Sequence, residues 1–225
     1  MAFWKLILLF SSCFFGGIAV FFFRKENTQR LKLILSFSGA YLLSVTVFEF
    51  LPDVYSTGED SIGVFIMLGI LFQILLEFFS HGAEHGHLHH DEKSAVFPWL
   101  LFISLCIHAL LEGLPLNDRE HLLHGVVLHK IPVAIILASF LLKSKIGRAK
   151  SAFFLLVFAA MTPLGSWLSN SFSIMKELEV YLNSIVIGIF LHISTTILFE
   201  ASKNHRFNAS KMAAIIAGIL IAYFF

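Results

Sequence analysis

The chain has 225 residues, of which 57% are hydrophobic and 14% are charged, and its mean hydropathy is +0.83. Soluble globular domains carry about 25% charged residues, so this composition excludes a water-soluble protein and indicates an integral protein of the lipid bilayer. The net charge of +1 provides no basic surface of the kind that binds nucleic acid. We therefore predict one transmembrane domain over residues 1–225.

Eight apolar runs follow one another along the chain. A hydrocarbon core about 30 Å thick is crossed by about 20 helical residues, so these runs predict an all-α polytopic membrane protein with about eight transmembrane helices. The last run is the shortest, and a count of seven stays open. The first run lacks a small-residue cleavage site, which favours a spanning helix over a secretory signal. The runs cover residues 3–23, 32–51, 62–80, 95–116, 121–142, 151–169, 180–200 and 211–225.

The positive charges between these runs predict the orientation of the chain. The first, third, fifth and seventh connections hold 12 of the 16 Lys and Arg residues, whereas the even-numbered connections hold two. Because cytoplasmic loops are enriched in Lys and Arg, we expect the odd connections in the cytoplasm and both termini on the extracytoplasmic side. The twelve residues are Arg24, Lys25, Arg30, Lys32, Lys93, Lys143, Lys145, Arg148, Lys150, Lys203, Arg206 and Lys211.

The third connection contains a histidine-rich segment over residues 81–93, predicted to be cytoplasmic. Histidine-rich tracts with glycine spacers and acidic neighbours are flexible chelators of zinc-like ions. A solvated polar loop that binds metal only adventitiously is an equally good interpretation. The histidines of this segment are His81, His85, His87, His89 and His90.

The fourth and fifth predicted helices carry polar residues inside apolar runs. A charged side chain at such a depth costs about 2.5–3.5 kcal/mol on insertion scales, so these residues point to function. His108 and Glu112 are four residues apart and share one helix face, where they can hold a cation between them. His108 lies nine residues before the turn at 117–120 and His129 nine residues after it, which brings them level. The alternative is a hydrogen bond that joins two membrane helices.

Prolines accompany both of these helices. Pro115 and Pro132 are predicted to be intrahelical, and each would then free a backbone carbonyl close to Glu112 or His129. Broken helices at mid-membrane are where transporters place their ion sites. Further polar residues are candidates for lining the route of the ion, although a helix-end acid that reaches the membrane interface explains the first two equally well. They are Glu49, Asp53, Glu77 and His192.

Several short motifs resemble those of one transporter family. Residues 108–113 (His-Ala-Leu-Leu-Glu-Gly) resemble the helix-four signature of the ZIP (Zrt/Irt-like) family of divalent-metal transporters, and residues 128–134 (Leu-His-Lys-Ile-Pro-Val-Ala) are similar to its helix-five signature. Residues 49–53, 161–165 and 188–192 resemble the family's motifs on helices two, six and seven. The likeness covers nearly the whole chain.

This resemblance implies a ZIP-like helical bundle that moves Zn²⁺ or a similar divalent cation into the cytosol. It implies His108, Glu112 and His129 as the metal ligands, no tightly bound cofactor, and a homodimer in which the bundle that holds helices four and five moves against the other helices. We expect a multi-pass protein of the cell membrane. Because the chain is compact, we expect that membrane to be a bacterial cytoplasmic membrane. Imidazole and carboxylate ligands accept zinc, iron, manganese, cobalt and cadmium alike.

The chain also departs from the family pattern. Many members have an acid where this chain has Val133 and a second polar ligand where it has Ala109. What resembles a two-metal site has therefore lost ligands. Lys130 stands beside His129, at a position that can serve the second metal, and we hypothesise that its ammonium replaces the second cation.

Two other functions stay open. In an intramembrane zinc hydrolase, His108, His129 and one further group would hold a metal-activated water and Glu112 would act as the base. In a metal sensor that does not transport, the chain would only bind the ion, which the missing carboxylate at Val133 makes more credible.

Overall fold

The computed structural model describes residues 3–22, 28–80, 99–117, 119–144, 146–200 and 209–224. These residues form ten α-helices and one π-helical turn, and they contain no strand. The π-helical turn, Thr46–Phe50, joins the second helix to the third without a break. The helices are α1 (Phe3–Phe22), α2 (Thr28–Val45), α3 (Leu51–Tyr55), α4 (Ile62–Ser80), α5 (Trp99–Gly113), α6 (Glu120–Lys143), α7 (Arg148–Ser171), α8 (Ser173–Glu177), α9 (Glu179–Glu200) and α10 (Ala209–Phe224).

The helices confirm an all-α polytopic architecture. In the described part of the chain, six helical segments are long and apolar enough to cross a membrane: α1, α2 together with α3, α4, α6, α7 and α9. The apolar helices α5 and α10 have 15 and 16 residues, so they are about 22–24 Å long. The count of eight spans therefore stays a prediction. The short helix α8, between α7 and α9, was not predicted from the sequence.

The prediction of an intrahelical Pro115 is wrong. Helix α5 ends at Gly113, before the predicted end at residue 116, and Pro115 lies in the turn that follows. The residue before a proline is disfavoured in the α conformation, which accounts for the early end. The carbonyl of Leu111, expected to be free, accepts a hydrogen bond from the N–H of Leu114 at 3.1 Å. Pro132 does lie inside α6, as predicted.

The helices pack as two bundles. The first bundle consists of α1, α5, α6 and α7 and has its own apolar core. The second bundle consists of α2, α3, α4, α9 and α10, in which α4 packs along α9 and α2 along α10. The bundles meet where α6 packs on α2 and α4 on α5. The core of the first bundle includes Cys13, Leu105, Val133, Leu155 and Phe158.

Glycines allow the closest helix crossings in both bundles. A Cβ atom on Gly165 of α7 would overlap the carbonyl oxygen of Leu110 on α5, and one on Gly188 of α9 would overlap that of Ile66 on α4. Small residues let membrane helices approach to backbone contact, where close packing stabilises them. The crossing at Gly165 lies one turn from His108 and fixes α5 against α7.

One end of the molecule carries a group of exposed carboxylates, which lie in the π-helical turn, in and after α3, in α8 and at the first residues of α6 and α9. We call this end the acidic rim. Lys5 of α1 lies 3.3 Å from Glu120 at this rim, and Tyr223 of α10 packs on Phe48, so the start of α1 and the end of α10 are near the rim. The orientation across the membrane stays a prediction. The exposed carboxylates of the rim are Glu49, Asp53, Glu59, Asp60, Glu120, Glu177 and Glu179.

Candidate metal centre

Two histidines and a glutamate meet inside the first bundle. His108 Nε2 lies 2.8 Å from Glu112 Oε1, one helical turn along α5. His129 of α6 brings its Nε2 atom to 3.8 Å from the same oxygen. The two imidazole rings are 6.5 Å apart between centroids, so the histidines lie level, as the equal spacing about the turn predicts. All three side chains are buried.

The three side chains are placed to hold one ion. One ligand atom from each of His108, Glu112 and His129 can be chosen so that all lie within 4.8 Å of one another. Among the described residues, no other set of three or more His, Cys, Asp and Glu side chains is this compact. Three nitrogen and oxygen ligands with an open fourth position are typical of a zinc ion that must exchange its ligands. The arrangement is therefore a candidate metal centre.

Lys130 completes a buried cluster of four polar side chains, which we call the buried centre: His108, Glu112, His129 and Lys130. The ammonium Nζ of Lys130 lies 2.5 Å from Glu112 Oε2 and 4.9 Å from the centroid of the Phe158 ring. Glu112 thus presents one oxygen to the histidines and the other to the lysine. A buried carboxylate requires such a partner, since an isolated charge in an apolar interior is strongly disfavoured.

Apolar side chains occupy the two positions at which the chain departs from the family's ligand pattern. Ala109 and Val133 are both buried in the core of the first bundle. Thr162 of α7 donates a hydrogen bond from Oγ1 to the carbonyl oxygen of Ala109 at 2.9 Å. The backbone beside His108 is therefore tied to α7, and neither Ala109 nor Val133 offers a side-chain ligand.

Polar contacts hold the turn between α5 and α6 in place. Ser166 of α7 donates to Asn117 Oδ1 at 3.1 Å, and Arg119 Nη1 donates to the carbonyl oxygen of Pro115 at 3.3 Å. A fixed turn fixes the relative depth of the two helices. The level arrangement of His108 and His129 depends on it.

The structure pairs Glu77 with His192, away from the buried centre. Glu77 Oε2 of α4 and His192 Nε2 of α9 are 2.6 Å apart within the second bundle, and both side chains are partly exposed. Thr196 donates a hydrogen bond to the carbonyl oxygen of His192 at 2.9 Å. Neither residue reaches the first bundle's ligands, so these two predicted residues form a separate site.

Glu49 and Asp53 lie at the acidic rim. Glu49 Oε1 is 2.5 Å from His121 Nδ1, and Asp53 Oδ2 is 2.6 Å from Arg119 Nη2. His121 was not predicted to be functional, because it lies at the end of an apolar run and about 80° around the helix from His129. The histidines of the predicted loop, His81, His85, His87, His89 and His90, lie outside the described residues.

A family model described as "ZIP Zinc transporter" matches residues 80–225, which is more than half of the chain and contains the whole buried centre. No curated protein matches the chain.

Proposed function

The chain belongs to the ZIP zinc transporter family, and from that premise we propose that it carries Zn²⁺ into the cytosol with His108, Glu112 and His129 as ligands. Membership makes a divalent metal ion the transported substrate. The observation that carries the finer proposal is the compact His–Glu–His group inside an otherwise apolar bundle. Zn²⁺ is the cargo, and no resident cofactor takes part.

The separations between the ligand atoms support binding of a zinc-sized ion. A tetrahedral ion at about 2.0–2.2 Å from its ligands places two of them about 3.4 Å apart. The two His–Glu separations, 2.8 and 3.8 Å, lie on either side of that value. Small rotations of the side chains therefore accommodate the ion. Water or a mobile group takes the fourth position, so the ion is held loosely enough to leave.

The ammonium of Lys130 replaces a second cation in this proposal. It lies against Glu112 Oε2, the oxygen that faces away from the histidines. One ion is then bound per centre. The test is the metal stoichiometry of purified protein, with Lys130→Asn supplying a neutral oxygen ligand and Lys130→Met supplying none. In protein whose loop histidines are replaced by Ala, we expect one tightly bound ion, a second tightly bound ion when Lys130→Asn is added, and no second one with Lys130→Met. We would abandon the idea if folded Lys130→Asn kept one.

Movement of the first bundle against the second would open the buried centre to each side in turn. Only helix packing and contacts at the rim join the two bundles in the described part of the chain. Glu77 lies three residues from the end of α4, next to the histidine-rich segment, and its contact with His192 offers the ion a partly exposed site on the cytosolic side. We propose that the transporter is a homodimer and that it lies in a bacterial cytoplasmic membrane.

Zinc uptake into proteoliposomes loaded with a zinc-sensitive dye tests the proposal. We expect saturable uptake in wild type and none in His108→Ala or Glu112→Ala. His124→Ala is the matched control, because this histidine is exposed on α6 and outside the buried centre. Uptake that persists in both His108→Ala and Glu112→Ala would show that the ion does not pass through the buried centre.

The same samples separate the two alternatives. A sensor would bind zinc at the buried centre without any flux in wild type. A hydrolase would cleave an amide or ester substrate and lose that activity in Glu112→Ala, since Glu112 would be its base.

A further inference from the structure

Ion pairs join the two bundles at the acidic rim. His121 in the first turn of α6 meets Glu49 in the π-helical turn, with 2.5 Å between Nδ1 and Oε1. Beside it, Arg119 meets Asp53 of α3 at 2.6 Å. His121 and Arg119 move with the first bundle, whereas Glu49 and Asp53 belong to the second. These contacts therefore exist only while the two bundles are close together at the rim.

We propose that His121 and Glu49 form a second, weaker divalent-cation site at the acidic rim, and that an ion bound there holds the bundles together and slows transport. This inference rests on the transport function proposed above. An imidazole nitrogen and a carboxylate oxygen are ligands that zinc accepts. The chain thus has an inhibitory site for its own substrate, separate from the buried centre.

The geometry of the pair allows a bridging ion. The side chains of His121 and Glu49 are 43% and 46% exposed, so both can turn and water can complete the coordination. Two ligands of a tetrahedral zinc ion lie about 3.4 Å apart, which requires the pair to open by only about 1 Å. With two protein ligands instead of three, the site binds more weakly than the buried centre.

The surroundings of the pair attract cations. Besides the pair, the acidic rim carries exposed carboxylates after α3, in α8 and at the first residues of α6 and α9, and they outnumber its cations, Lys5, Arg119 and Lys176. The nearby guanidinium of Arg119 is offset by Asp53 at 2.6 Å and by Glu179 at 3.9 Å. A surface with an excess of one charge sign raises the local concentration of ions of the opposite sign. Divalent ions therefore collect where the pair lies.

The effect on transport follows from the placement of the two ligands on different bundles. A ligand that binds one arrangement and not the other shifts the population towards the arrangement it binds. The population of the arrangement in which the bundles are close together at the rim, relative to the open arrangement, is multiplied by one plus the ratio of ion concentration to Kd. This factor is about eleven at ten times Kd. Uptake then rises with external zinc, passes a maximum and falls.

The test is initial zinc uptake by cells that express the protein, measured from micromolar to millimolar external zinc. We expect uptake by wild type to fall from its maximum by up to about elevenfold at ten times Kd, and uptake by His121→Ala to reach the same maximum without the fall. His124→Ala, at an exposed histidine one turn along α6, should fall like wild type. An unchanged fall in His121→Ala overturns the proposal. So does an equal change in uptake at every zinc concentration, which a contact without metal would cause.

Direct binding distinguishes failure of this site from failure of the transport proposal. Zinc titration of purified protein with His108→Ala and His192→Ala, and with the loop histidines replaced by Ala, should leave one weak site, lost on adding His121→Ala. If that site is present while wild type shows no uptake, the transport proposal fails and the rim site stands. If uptake depends on His108 and no such site is found, only the rim site fails.

Discussion

The buried centre and the Glu77–His192 pair use the same two side chains in contacts of similar length, but in different surroundings. His108 and Glu112 are 2.8 Å apart with side chains 1% and 0% exposed, whereas His192 and Glu77 are 2.6 Å apart with side chains 18% and 22% exposed. Water reaches the second pair and is excluded from the first. Burial, and not the choice of residues, is what distinguishes the two contacts.

Burial also determines which other groups each pair requires. In the first bundle the carboxylate of Glu112 has the ammonium of Lys130 against it, because no water is present to stabilise the charge. In the second bundle the carboxylate of Glu77 is only partly buried, so water can stabilise its charge. A buried pair must balance its charge with protein groups, whereas a partly exposed pair can use water.

The largest expected effect comes from removing the buried carboxylate charge. Glu112→Gln leaves the Lys130 ammonium buried without a charged partner, and we expect the unfolding free energy to fall by about 3–5 kcal/mol. Glu77→Gln should lower it by less than about 1 kcal/mol, because the pair is partly solvated. Thermal unfolding in detergent measures both. The double variant Glu112→Gln/Lys130→Met should recover most of the loss, and equal losses in the two single variants would contradict the comparison.

An intermediate effect is expected at the glycine crossings of the two bundles. Gly165→Ala and Gly188→Ala each force a Cβ atom onto a neighbouring carbonyl oxygen and should destabilise the protein by about 1–3 kcal/mol. Only Gly165→Ala should also weaken zinc binding at the buried centre, since it displaces α5 from α7. Zinc titration separates the two.

The control for these variants is Gly63→Ala on α4. A Cβ there meets only the Tyr55 hydroxyl, at 3.6 Å, and the helix gains up to about 1 kcal/mol of propensity. Equal weakening of zinc binding in Gly165→Ala and Gly188→Ala would show that the centre responds to general instability.

The smallest effect is expected at an exposed counterpart of the buried ion pair. Lys5 and Glu120 are 3.3 Å apart, with side chains 10% and 64% exposed, so water reaches the carboxylate. Glu120→Gln should change the unfolding free energy by less than about 1 kcal/mol, with less effect still at high salt. Thermal unfolding at two salt concentrations measures this. A loss comparable to that of Glu112→Gln would mean that burial does not set the strength of these pairs.

The buried centre was predictable from the sequence because its contacts are local. His108 and Glu112 share one helix face, and His129 is reached through a short turn with equal spacing on each side. The helices themselves were predictable from apolar run length. Pro115 was misplaced because the end of α5 depends on backbone preferences next to a proline, which apolar run length does not report.

The contacts between distant segments were not predictable. Glu77 and His192 are 115 residues apart, and Glu49 and His121 are 72 residues apart. Helix periodicity gives the face on which a residue lies but not which helix packs against that face. The pairing of these acids with histidines becomes evident only once the two bundles are assembled.

The π-helical turn at Thr46–Phe50 has a consequence for how this chain can diverge. Such a turn holds one residue more than an α-helical turn, as a single inserted codon would produce. Loss of that codon would return the turn to α-helical geometry, and α2 and α3 would keep their relative orientation. Glu49 lies inside the turn and would be displaced most, whereas Asp53 lies beyond it and would stay beside Arg119. One codon is thus a heritable change that alters the contact with His121 and leaves the helix packing on either side as it was.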